Sequence, residues 1–115
     1  MIVELLYSTT TDFLHIYTYA HMRNFLFLDT ETTGLNTGKD RIVQLSTRLV
    51  CPTESQDHNQ LIRPDNFVIP ATATKIHGIT NQVATVEGIS IAQALDDLSL
   101  HIQQAYIIVG HHHQL

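Results

Sequence analysis

The sequence predicts an α/β domain whose mixed sheet opens with three antiparallel strands. A crossover helix then leads to a fourth strand able to lie parallel to the first. Three observations predict it. Phe25-Leu26-Phe27-Leu28 is a continuous apolar run, the mark of a strand covered on both faces. Ile91, Leu95, Leu98 and Ile102 recur at three- and four-residue spacing, the period of a helix with one apolar face. Tyr106-Ile107-Ile108-Val109 is a second short apolar run, placed after that helix where a returning strand belongs.

Taken in order, residues 1–21 mix Leu5, Leu6, Phe13 and Ile16 with tyrosines and threonines and follow neither a strand nor a helix period. They are read as an N-terminal extension of unassigned structure, with Met22 an alternative start and residues 22–115 as the domain. The central strand over Phe25–Leu28 is followed by turn chemistry at Thr33-Gly34 and Asn36–Asp40. Ile42, Val43, Leu45, Leu49 and Val50 then return as the second arm of a hairpin. A polar turn at Asp57–Asn59 is expected before a third strand, Gln60–Arg63, which Pro64 closes because it cannot donate to a ladder. Pro70 can start a short helix over Ala71–Ile76 with Gly78 as its stop, and Thr80 can cap a second one ending near Gly88. Ser90 is the N-cap of the long helix, whose apolar face must pack on the sheet.

The 115 residues, 43% hydrophobic, suffice for one domain. Six Lys and Arg against eleven Asp and Glu, a net charge of −5, exclude a broad basic face for a nucleic-acid duplex. A polyanion must be held locally, and a bound divalent metal can supply that charge whatever the protein's net sign. The lone Cys51 excludes an internal disulfide and is read as a core thiol. No apolar run approaches the roughly 18 residues of a membrane span, so a cytoplasmic protein without a membrane partner is expected.

Asp29 and Glu31 sit two residues apart at the end of the first strand, so their carboxylates share one face. Hard divalent cations take oxygen ligands, and paired ions suit phosphodiester hydrolysis. By itself an Asp-x-Glu pair more often marks a polar loop closing a strand. The solvated acids Glu87, Asp96 and Asp97 are not recruited, and His111-His112-His113 lacks metal-ligand spacing.

The flanks make the pair specific. Phe25 through Leu35, with Asp29-Thr30-Glu31-Thr32-Thr33-Gly34 at its centre, closely resembles the first motif of the DEDD exonucleases, the family of RNase T and of bacterial polymerase proofreading subunits. Arg63-Pro64 through Ile69-Pro70 to Lys75-Ile76-His77-Gly78-Ile79-Thr80, and Ile107-Ile108-Val109-Gly110-His111, agree in order and spacing, so the resemblance covers residues 23–115. It implies a ribonuclease H-like fold, truncated after its fourth strand, and a 3′–5′ exonuclease acting on a single-stranded DNA or RNA 3′ end. A DNA polymerase is a partner it would allow. It also implies two Mg²⁺ or Mn²⁺ ions held by Asp29 and Glu31, with Asp29 bridging both. His77 would lie beside the 3′-terminal nucleotide, Thr32 and Gly34 would cradle the substrate through backbone, and Leu35 would wedge against the terminal base. Gly34 reads equally well as a turn residue.

The chain departs from the family pattern at Thr72, where an acidic residue is common, and at His112 and Leu115 in the second motif. The Asp of that motif would fall just after Leu115, and the third motif with its His or Tyr base is absent. The sequence therefore leads us to expect a fragment of an exonuclease domain with negligible activity on its own. The rival expectation is a non-catalytic module that binds a nucleotide end or a partner.

Overall fold

The computed structural model of the chain describes residues 2–5 and 23–111. Among the described residues, five strands and three helices run in the order β1 (Ile2–Leu5), β2 (Phe25–Thr32), β3 (Ile42–Val50), β4 (Ser55–Leu61), α1 (Ala71–His77), α2 (Asn81–Glu87), α3 (Ile91–Gln104), β5 (Ile107–His111). The sheet order is β1-β5-β2-β3-β4. β2, β3 and β4 form its antiparallel part. β5 lies parallel to β2, pairing Phe25 with Ile107 and Leu28 with Gly110. The expected mixed sheet with a parallel return strand is therefore present.

One strand was not foreseen. Ile2–Leu5 pairs in parallel with β5, Ile2 opposite Ile108 and Leu5 opposite His111. Four residues are too few to establish a period in the sequence. The rest of the N-terminal extension lies outside the described residues.

The third strand is longer than expected. β4 begins at Ser55, so Asp57–Asn59 is ladder and not turn. The turn lies upstream, where the Cys51 amide donates to the Glu54 carbonyl at 2.8 Å. β4 ends the strand order, and a strand edge open to water is kept soluble by polar and charged side chains, which read as a turn in sequence. Cys51 is half-buried rather than a core thiol, because it opens that turn after β3 has ended.

By contacts the chain divides into two compact units, residues 1–29, 47–58 and 98–115, and residues 30–46 and 59–97. In the first, Phe25 and Val109 form a buried pair with Phe27, Val50 and Ile107 packed around it. Arg48 there pairs bidentately with Asp57, Nε to Oδ1 at 2.6 Å and Nη2 to Oδ2 at 2.9 Å. In the second, Val43, Ile69, Ala73, Ile79 and Ala84 form the core, with Leu61 and Phe67 against it.

The helix boundaries follow local chemistry. Pro70 precedes α1, and Gly78 ends it in the left-handed region at φ 78°, its amide donating to the Thr74 carbonyl at 2.7 Å. The Thr80 hydroxyl accepts the Val83 amide at 3.2 Å at the start of α2, and the Ser90 hydroxyl accepts the Gln93 amide at 3.1 Å at the start of α3. The apolar stripe of α3 does not bury as expected. Ala94 is the buried residue of that helix, while Ile91, Leu95 and Ile102 are exposed. Ala94 lies roughly 70° around the helix from the stripe, so the buried line of the helix is displaced from its apolar one.

Candidate active site

Strand β2 carries both predicted metal ligands, extending to Thr32 so that Asp29 and Glu31 sit within it and not after it. Strand alternation gives the two carboxylates one face. Both residues are half-buried. As hard oxygen donors on a supported strand they suit Mg²⁺ or Mn²⁺. Among the described residues, no group of three or more His, Cys, Asp or Glu converges as a metal cage.

The turn after β2 is fixed by polar contacts. Thr32 Oγ1 donates to the Gly34 carbonyl at 2.6 Å. The Thr33 amide donates to the Arg41 carbonyl at 2.9 Å, and the Thr33 hydroxyl donates to Asp40 Oδ1 at 2.9 Å while accepting the Arg41 amide at 3.0 Å. Asp40 Oδ2 accepts the Asn36 amide at 2.9 Å, closing the loop on itself. The Asn36 amide, then the Thr33 hydroxyl, hold the Asp40 carboxyl below the usual carboxylate range. Asp40 was missed in the sequence because it read as one of several turn residues. The signal available was an Asp that can accept from both arms of one short loop.

Asp40 also explains Gly34. A Cβ at that position would stand 2.6 Å from Asp40 Oδ2 and 2.9 Å from its Cγ. The glycine makes room for the carboxylate that locks the turn, and the structure thereby supplies a packing reason for it. Leu35, next in the chain, is 68% exposed and presents an apolar surface to solvent.

His77 ends α1. Its Nδ1 accepts the Ile79 amide at 3.1 Å, so in the neutral ring the proton resides on Nε2. That Nε2 is buried and has no hydrogen-bond partner. The ring is thus used inward, fixing the turn that the Thr74 hydroxyl also closes by donating to the Ile79 carbonyl at 2.8 Å. Asn81, not singled out from sequence, holds the same region: its Oδ1 accepts the Ile69 amide at 2.8 Å and its Nδ2 donates to the Ile69 carbonyl at 2.9 Å.

A cavity of about 260 Å³ is lined by Asp40, Arg41, Arg63, Asp65, Phe67 and Ile91 among others, and neither Asp29 nor Glu31 borders it. Arg63 is engaged there by Asp65, Nε to Oδ1 at 2.6 Å. Gly110 lies in β5 beside Leu28 in register. His112, His113 and Leu115 lie outside the described residues.

Comparison with known proteins gives the family and similar folds. The profile of the exonuclease family matches residues 26–115. The E. coli exonuclease I complex with a dA16 oligonucleotide superposes with a TM-score of 0.67 at 25% identity, over 76% of this chain and 20% of that one. Product-bound exonuclease I gives 0.68 at 25% identity, over 76% and 22%. The ExoI/SSB-Ct complex gives 0.67 at 25% identity, over 76% and 20%. This chain therefore spans about a fifth of the length of those proteins. A comparison with curated proteins found no match.

Proposed function

Because this chain belongs to the exonuclease family, we propose that residues 22–115 carry the metal-binding strand of a 3′–5′ exonuclease site acting on single-stranded nucleic acid. The observation that carries the proposal is Asp29 and Glu31 on one face of β2, inside the segment the family profile matches. Asp29 and Glu31 would hold the ions through their carboxylates. When bound, Mg²⁺ or Mn²⁺ supplies an activated water on one side of the phosphodiester and stabilises the leaving oxygen on the other.

The residues of the chain position the substrate for that chemistry. The turn after β2, braced by Thr32 and locked by Asp40, presents its backbone to the terminal nucleotide, and exposed Leu35 lies against the terminal base. His77 holds the 77–79 turn in place. The dA16 oligonucleotide bound by E. coli exonuclease I favours single-stranded DNA as the substrate class. A polymerase partner belongs to the same proposal.

Two carboxylates bind Mg²⁺ weakly and provide no base, so these 115 residues on their own are expected to release little mononucleotide. The deciding measurement is Mn²⁺ binding by calorimetry, with and without a single-stranded oligonucleotide, on the parent chain and on an Asp29→Ala, Glu31→Ala variant. Parallel runs with a 3′-labelled oligonucleotide read the release of nucleotide. Binding by the parent and its loss in the variant support the site; equal Mn²⁺ binding by both proteins would overturn it.

A further inference from the structure

A second group of side chains is placed for metal chemistry of a different kind. His58, on the edge strand β4, and His101, on α3, have ring centres 4.6 Å apart with planes tilted by 40°. Both belong to the same compact unit. His58 is exposed and His101 half-buried, so the pair opens to water. They come from elements 43 positions apart in the chain, as their numbers give, and chain proximity does not account for the contact. The exonuclease reading uses neither.

We propose that His58 and His101 chelate one transition-metal ion of the zinc class and so clamp α3 to the sheet's edge strand. Zinc binds an imidazole nitrogen at about 2.0–2.1 Å, which puts each ring centre roughly 3.2 Å from the ion; two rings at a tetrahedral angle are then about 5 Å apart. The 4.6 Å separation already present falls close to that value, so chelation requires ring rotation and little backbone movement. Neutral imidazole suits zinc, copper and nickel, while Mg²⁺ and Ca²⁺ select oxygen ligands. The described residues contain no third His, Cys, Asp or Glu converging on the pair, and water completes the coordination. The site is therefore exchangeable and distinct in metal preference from Asp29 and Glu31.

The test is zinc titration of the full chain in excess Mg²⁺, which occupies oxygen sites without competing for imidazole. The background protein carries His112→Ala and His113→Ala, so that of the terminal histidine run only His111 remains and the run cannot chelate zinc by itself. One equivalent of zinc should bind and raise the melting temperature. His58→Ala and His101→Ala should each abolish both effects while melting like the background protein in EDTA. A His58→Ala, His101→Ala double variant should behave as either single variant does. Zinc binding of equal strength in the single variants, or no zinc binding in the background protein, overturns the proposal and leaves a ring contact only. Because the readout is zinc in the presence of Mg²⁺, it is independent of whether the chain proves to hold an exonuclease site.

Discussion

Asn81→Ala tests how firmly the region around His77 is held. The Asn81 side chain pairs with both backbone groups of Ile69, accepting from its amide at 2.8 Å and donating to its carbonyl at 2.9 Å, as a neighbouring strand would. Ile69 is 2% exposed, so water does not replace those partners without opening the core of Val43, Ala73, Ile79 and Ala84. An unsatisfied buried backbone group costs about 1–3 kcal/mol, and two of them, partly rehydrated, should cost about 2–4 kcal/mol. At roughly 4–8 °C per kcal/mol for a domain of this size, the melting temperature should fall by at least about 8 °C. Urea denaturation followed by circular dichroism reads the change as a lower midpoint at constant slope. Asn81→Asp keeps the acceptor for the Ile69 amide but sets an oxygen against the Ile69 carbonyl, so it should be destabilised as well. A loss below about 0.5 kcal/mol for Asn81→Ala, the usual size of an inconsequential surface change, would refute the reasoning.

Leu26, fully buried in β2, should lose about 2–5 kcal/mol of stability on Leu26→Ala, measured in the same urea experiment. Gly88→Ala sets a Cβ against the Ala84 carbonyl and 2.6 Å from the Arg63 amide nitrogen, backbone atoms that cannot step aside. That overpacking should cost about 1–3 kcal/mol, and an unchanged melting temperature would show that the backbone yields. The folded-state pKa of Asp40 is lowered by the Asn36 amide and then by Thr33, so its contribution is present above the ordinary carboxylate pKa. It is lost as pH falls through the lower folded value, and Asp40→Asn should flatten the urea midpoint's dependence on pH below about pH 4. Of six Lys and Arg, Arg48 and Arg63 are paired with Asp57 and Asp65. The four that remain limit the slope of log affinity against log salt for a single strand to about −3, and a steeper slope would mean the pairs open on binding.

The parts of the fold legible in sequence are those where burial and period coincide. Phe25–Leu28 and Ile107–Val109 are apolar because both are interior strands of the sheet, and their parallel pairing follows from the helix between them. Caps were equally legible at Thr80 and Ser90, since a hydroxyl accepting an amide three residues on is a local event. What failed depended on contacts distant in sequence. Ser55–Asn59 is polar because it forms an edge, and edge position is a property of the whole sheet order. The stripe of α3 has a clear period, but a period fixes which residues share a face and not which direction that face takes. Ala94, off the stripe, is the buried residue and marks the face that turns inward.

The site shows the same division. Asp29 and Glu31 share a face of β2 through a spacing that one contiguous strand sets, whereas the polar contacts of the neighbouring turns join residues apart in the sequence. Asp40 reaches back seven positions to Thr33 and four to Asn36, and its carboxylate occupies the space a side chain at Gly34 would need. Asn81 reaches back twelve positions to Ile69. Each is one polar side chain serving two backbone or hydroxyl partners, a pattern without the period that marks strands and helices. A ligand pair at Asp29 and Glu31, as proposed, would gain from this arrangement. The strand fixes where the carboxylates emerge, and the locked turn removes the loop freedom that would otherwise have to be ordered when a nucleotide end binds. On the proposed reading, in a chain of net charge −5, that saving would act beside the charge of bound ions and the Lys and Arg not held by Asp57 and Asp65 in retaining a polyanion.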